Sequence, residues 1–335
     1  GGALAMAVSA AVLFTSWALL ANLRPRASWL GVVVALAVFA LPQVAIYPGI
    51  VWKDIWFAES TIAGFVLVAL ALRSPVPAAR WGLLALAAVI FAVAGLLRQN
   101  GLLLAAAAAV ALAWAGSMRS GWRSSVLGAG VWLGAVGAAT LALSAYAQPQ
   151  GVAAPDKAGL KGVRIIQAYD LVGAATRVYL PLKALDAYDP TLDDLLRAEA
   201  KRVYSPQRVD YLDDSALGAR LYNAPDKVVW AAWLDMILDH PGVYLKVRWT
   251  DFQQVFATPV IDVCLPVHLG ISGPDKAMAE LKLAPRWTEE NTRLFNYTTW
   301  FMDTPALTHV TFAVIALVVG LLLLWRREPA DLAIA

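Results

Sequence analysis

Apolar runs at about 3–22, 29–49, 55–72, 81–97, 101–117, 124–147 and 305–325 dominate this chain. Each is close to the roughly 20 residues a helix needs to cross a bilayer. From Gly1 to Ala147 the sequence carries only ten charged side chains. A chain of this kind is restricted to an all-α polytopic membrane protein. Composition agrees: 60% of the 335 residues are hydrophobic, and the mean hydropathy is +0.61.

The charges fix an orientation. Arg24 and Arg26, Arg73 and Arg80, Arg119 and Arg123, and Arg326 and Arg327 all fall on one side when the spans alternate. Basic connections mark the cytoplasmic side. The first residue and the 148–304 segment are then expected outside and the C-terminus inside. Trp29, Trp52, Trp56, Trp81, Trp122 and Trp325 fall near the expected interfaces, where an indole is favoured. The expected organisation is a bundle of about six spans over 1–147, an extracytoplasmic domain over 148–304, a span over 305–325, and 326–335 as a tail or the start of a further span. Seven spans beginning outside, and a chain beginning Gly1-Gly2, lead us to expect a preceding span upstream.

Residues 148–304 hold 17 Lys/Arg against 20 Asp/Glu. Without a basic stripe to neutralise phosphates, nucleic acid is not an expected partner. The segment reads as mainly helical. Pro190 followed by Asp193 and Asp194 suits a helix start. Val228–Asp239 and Gly242–Phe256 have helical apolar spacing, separated at His240-Pro241. Thr288-Glu289-Glu290 opens another helix to about Met302. Segments 204–226 and 257–287, rich in Pro, Gly and Asp, read as loops. Ala- and Gly-rich stretches such as Leu103–Ala113 allow close helix approach in the bundle.

Four charges depart from the basic side: Lys53, Asp54, Glu59 and Arg98 cluster at the opposite face. Ionisable groups at span ends there are costly and point to a functional site. Asp54, between Trp52 and Trp56, could bind a divalent metal, orient a sugar hydroxyl or act as a base. It could equally be a helix-start acid, or pair with Lys53. Glu59 lies about 140° further round a helix, so the two are not expected to face one point. Glu59 is then neutral, paired inside the bundle, or facing a wet cavity. Arg98 ends one span and Gly101 opens the next, leaving a tight turn in which Gly101 is expected to supply conformational freedom. A guanidinium there can hold a phosphate bidentately, with Asn100 beside it, or can snorkel to ordinary lipid phosphates.

The order of these features, Pro48-Gly49-Ile50-Val51-Trp52-Lys53-Asp54, two crossings, then Leu96-Leu97-Arg98-Gln99-Asn100-Gly101, resembles the core of GT-C membrane glycosyltransferases. That superfamily includes protein mannosyltransferases and the lipid A aminoarabinose transferase. A bacterial variant with an Arg-x-Asn-Gly turn resembles this chain more than the mannosyltransferases do. The resemblance covers about residues 1–147. It implies a GT-C-like bundle, the bacterial cytoplasmic membrane, and inverting sugar transfer from a polyprenyl-phosphate donor to an acceptor at the outer face. It further implies that Asp54 is an active-site acid but not the base. Arg98, with Asn100, Lys53, Glu59 and Gly101, would bind substrate. The departures are Arg for the family's lysine, an inserted polar pair and no following proline. The family's catalytic aspartate lies on a first outer loop that would precede Gly1.

Other candidates are weaker. His240, His268 and His309 are dispersed, without metal-ligand spacing. Asp193-Asp194 and Asp213-Asp214 read as solvated faces or helix starts. Trp230, Trp233, Trp249, Trp287 and Trp300 could stack on sugars, but a hydrophobic core accounts for them more simply. Cys264 reads as a small buried residue. The competing functions are a flippase or transporter of lipid-linked sugars, expected to carry discontinuous helices, an O-antigen ligase or polymerase, and a non-enzymatic envelope protein.

Overall fold

The computed structural model describes residues 2–21, 29–50, 52–98, 101–147, 156–257, 269–273, 275–302 and 304–326. The chain is an all-α multi-pass membrane protein. Among the described residues the only β-type pairing is the bridge between Ile271 and Arg286. Two compact units form, Gly1–Val152 with Ala313–Ala335, and Ala153–Phe312.

The first unit contains α1 (Gly2–Ala21), α2 (Trp29–Phe39), α3 (Pro42–Ile46), α4 (Lys53–Arg73), α5 (Pro77–Leu97), α6 (Gly101–Ser120) and α7 (Trp122–Ala147). Helices α4 to α7 are each long and apolar enough to cross a membrane. The span expected over 29–49 is instead broken, with a bend of 71° between 29–39 and 42–49. Pro42 explains the break. It forces Leu41 out of helical geometry, to φ −72° and ψ 135°, and itself starts α3 at a position where no N–H is needed.

Packing in this unit uses small residues to bring helices together. Phe91 of α5 is fully buried. Its ring stands edge-on to Phe65 at 5.2 Å and to Trp132 at 5.8 Å. Gly64 on α4 makes room for it, since a Cβ there would meet the Phe91 ring at 2.8 Å. Trp132 donates its indole N–H to Leu84 O at 2.9 Å, tying α7 to α5. Gly121, at φ +83°, turns the chain between α6 and α7. Trp29, Trp81 and Trp122 are exposed at or near helix starts, as interfacial anchors would be.

The second unit comprises α8 (Asp156–Ala175), α9 (Lys183–Tyr188), α10 (Pro190–Val203), α11 (Asp210–Asp213), α12 (Ala216–Asn223), α13 (Asp226–Asp239), α14 (Pro241–Ala257), α15 (Asp275–Glu280) and α16 (Glu289–Thr299). The last helix among the described residues is α17 (His309–Arg326), again long and apolar enough to span. Leu171 and Val172 of α8 are buried with Leu185, Leu192, Leu196, Leu217, Leu221, Met236 and Val247.

Local chemistry sets several helix ends. Asp189 caps α10 through Thr191 N, and Thr288 with Asn291 forms a capping box on α16. The expected loop over 204–226 is corrected: α11 and α12 lie within it. Ser215 accepts from Gly218 N at 2.9 Å and starts α12 despite the surrounding Asp and Pro residues. Arg164, buried on α8, donates to the last carbonyls of α12, Leu221 O at 3.2 Å and Ala224 O at 2.8 Å, and pairs with Asp226. A cation at a helix C-terminus meets the orphan carbonyls there.

Candidate functional site

Helices α4 and α5 are each 21 residues long and are joined by a short turn. Equal lengths run back to back return the end of α5 to the start of α4. Asp54 lies in the first turn of α4, and Arg98 is the C-cap of α5, in extended geometry at φ −142° and ψ 136°. Their side chains meet across 44 residues of sequence. Arg98 donates through Nε to Asp54 Oδ1 and through Nη2 to Oδ2. This bidentate contact uses only one edge of the guanidinium. The fork made by Nη1 and the second Nη2 hydrogen has no hydrogen-bond partner among the described residues.

The side chains of Arg98 and Asp54 are 46% and 25% exposed. Pairs this open contribute less than about 1 kcal/mol to folding. The pair therefore orients Arg98 more than it stabilises the bundle. Lys53 is exposed and is not the partner of Asp54, which corrects that alternative.

Gly101 is also corrected. It does not adopt a left-handed conformation; among the described residues the glycines that do are Gly121 and Gly270. It is required for close approach, because a Cβ there would lie 2.4 Å from both Ala94 C and Ala94 O. Its N–H donates to Arg98 O at 2.9 Å and closes the turn. Asn100 lies outside the described residues, as do Cys264 and His268.

A cavity of about 290 Å³ opens beside the first turns of α4, against α1 and α3. Asp54, Ile55, Ala58, Glu59 and Ile62 form its α4 wall, faced by Leu13, Val44, Tyr47 and Pro48. At about 100° per residue the α4 positions span an arc of about 140°, with Asp54 and Glu59 at its two margins. The angular separation read from the sequence holds, but the cavity wraps the helix and meets both acids. Glu59 is buried and accepts a hydrogen bond from Ser9 Oγ of α1 at 2.5 Å. Ser9 carried no signal in the sequence, being one hydroxyl in an apolar run.

The second unit holds polar groups that sequence reasoning missed. Asp170 of α8 is fully buried. It accepts from Trp233 Nε1 at 2.8 Å and pairs with Arg248 at 3.0 Å, both through Oδ2. Burial pushes its carboxyl up to about 6, assisted by repulsion from Asp251 and opposed by Trp233 and Arg248. Tyr204 donates to Asp251 at 2.6 Å. Burial also raises the Asp251 carboxyl.

The tryptophans expected in a core are mostly outside it: Trp230, Trp249, Trp287 and Trp300 are exposed. Trp233 is half-buried and serves Asp170. Among the described residues no three His, Cys, Asp or Glu side chains gather as a metal site requires. His240 caps the C-terminus of α13, and His309 begins α17.

No protein-family model, no curated protein and no solved structure matches this chain.

Proposed function

We propose that the chain is a membrane glycosyltransferase of GT-C type, moving a sugar from a polyprenyl-phosphate donor at the outer face of the bacterial cytoplasmic membrane. The observation that carries this reading is the Arg98–Asp54 contact at the rim of an apolar cavity. A polyprenyl phosphate is an apolar chain ending in an anion. A largely apolar cavity of about 290 Å³ suits an isoprenoid segment better than a sugar. The unused fork of Arg98 suits the phosphate.

In this reading Asp54 holds the guanidinium by its side edge, so the end edge is presented with little loss of freedom when the phosphate arrives. As the bond from the anomeric carbon to the phosphate oxygen breaks, negative charge grows on that oxygen. A fixed cation there stabilises the transition state more than the ground state. The acceptor hydroxyl needs a base, and no residue described above is assigned to it.

The test is release of polyprenyl phosphate from a polyprenyl-phosphate hexose by the full-length protein. Arg98→Ala should reduce the rate by about 100-fold or more, with helix content unchanged. An unaltered rate in a folded variant removes Arg98 from the reaction.

A transporter of lipid-linked sugars is supported by a separate observation, the 71° break between α2 and the Pro42–Gly49 segment. Broken helices line the sites of secondary transporters. Reconstituted vesicles separate the readings: movement of a lipid-linked sugar between leaflets without sugar transfer favours the transporter.

A further inference from the structure

Helix α14 is apolar on two opposite faces. Val247 is fully buried and, with Val243 and Tyr244, packs into the core of the second unit. At about 100° per residue, Leu245, Trp249, Phe252 and Phe256 all lie within about 40° of the direction opposite Val247. Leu245, Trp249 and Phe252 are exposed, at 64%, 58% and 49%, and Phe256 is half-buried. The rings form a ladder along the helix. Trp249 and Phe252 have centroids 5.6 Å apart, and Phe252 stacks on Phe256 at 5.0 Å. Side chains at this helical spacing make one continuous stripe.

The polar residues of α14 respect this stripe. Its one acid, Asp251, lies on the inward side, where Tyr204 donates to it. Lys246 and Gln253, both exposed, lie along one margin of the stripe. On the other margin Arg248 turns inward to Asp170. Long polar side chains at such a margin can reach past an apolar layer to the polar groups above it. An aromatic stripe left in water would invite association, so a face of this kind marks an interaction surface.

We propose that this stripe lies in the lipid–water interface, with α14 parallel to the bilayer surface and Trp249, Phe252 and Phe256 among the ends of the acyl chains. The tethering of the second unit selects lipid over other occupants. The unit is joined at both ends to helices long and apolar enough to span, α7 through 148–155 and α17 through 300–308, so a bilayer is always within reach. A covalent tether makes the docking intramolecular, and a weak apolar contact then suffices. A second copy or a soluble partner would have to be met by collision. The residue types agree with lipid. Trp, Phe and Leu on one face, a lysine and an amide at its margin, and no acid among them suit an interfacial helix. The proposal is independent of the Arg98 reading, since every side chain it uses lies on α14.

Spin labelling of the full chain in nanodiscs of phosphatidylcholine and phosphatidylglycerol tests it. A nitroxide is attached through Phe252→Cys in a Cys264→Ser background. Molecular oxygen should collide with it more often than a water-soluble nickel chelate does, at a depth of about 5–10 Å into the headgroup–acyl boundary. A label attached instead through Leu245→Cys should show the same preference, and lose it when Trp249→Gln and Phe252→Gln are added. Those two side chains face away from the core, so helix content should not change. A label at position 252 that meets the chelate more often than oxygen places the face in water and overturns the docking. Shielding from both collision partners means that protein covers the face, which overturns it as well. Spin–spin broadening that grows with the number of copies per disc then identifies that protein as a second copy. A label at position 245 that keeps its depth in the double variant overturns the role of the aromatic ladder.

Discussion

Arg98 commits its side edge to Asp54 and keeps its end edge for a ligand, a division that only a planar guanidinium permits. Lysine could keep the charge but not the two-edged geometry. Arg98→Lys should therefore retain folding yet weaken polyprenyl-phosphate binding by about tenfold, as expected for one charge-assisted hydrogen bond lost. Native mass spectrometry across a lipid titration reads this directly, and wild-type affinity in the lysine variant would remove the two-edge argument. Gly101 makes a different kind of demand. Its Cβ position is occupied by the Ala94 carbonyl, so Gly101→Ala must push α5 and α6 apart. Overpacking of this kind costs about 1–3 kcal/mol. A lowered thermal midpoint in detergent is the expected outcome, and an unchanged midpoint would mean that the turn relaxes freely. Both positions were legible as charge and glycine in an apolar sequence. Their pairing was not, because it depends on two helices having the same length.

At the scale of elements, Asp170 joins α8 to α13 through Trp233 and to α14 through Arg248. Its carboxyl titrates near 6 in the folded unit, against an ordinary value near 3.8. The folded state therefore holds a proton that the unfolded state has released, and stability must fall as pH rises between those values. The contribution is full below about pH 4 and lost above about pH 6, on the order of 3 kcal/mol for a fully buried group. Asp170→Asn keeps an acceptor for Trp233 and should flatten that part of the curve. Asp251 contributes in the same direction and leaves a residual slope. Thermal midpoints from pH 4 to 7 decide it: an equally steep fall in the Asn variant would place the titration elsewhere. Element ends with local chemistry, such as His240-Pro241, Pro190 and Thr288, were readable directly. The helices inside 204–226 were not, because their Asp and Pro residues also favour turns and tertiary burial of Leu212, Leu217 and Leu221 settles the matter. The break at Pro42 was hidden for the opposite reason, within an otherwise continuous apolar run.

For the whole molecule, apolar run length carried the multi-pass architecture, since a bilayer imposes one length on every span. The cavity beside α4 could not be read in this way. It combines α1, α3 and α4, so it depends on contacts that no local pattern encodes. Sidedness rests on the arginines at the span ends, and it makes a prediction for the entire chain. With Cys264 replaced by Ser, single cysteines at Ser74, Lys53 and Lys276 probe the α4–α5 turn, the start of α4 and the second unit. In right-side-out membrane vesicles an impermeant maleimide should label positions 53 and 276 at once. Position 74 should react only after the vesicles are opened. The α4 span separates 53 from 74, so these two must differ in any crossing arrangement. Position 276 then decides on which side the second unit lies, and with it whether that unit shares a compartment with Asp54 and Arg98. Protection of 53 and 276 with labelling of 74 would invert the orientation; protection of 276 alone would place the second unit on the opposite side of the membrane from Asp54 and Arg98.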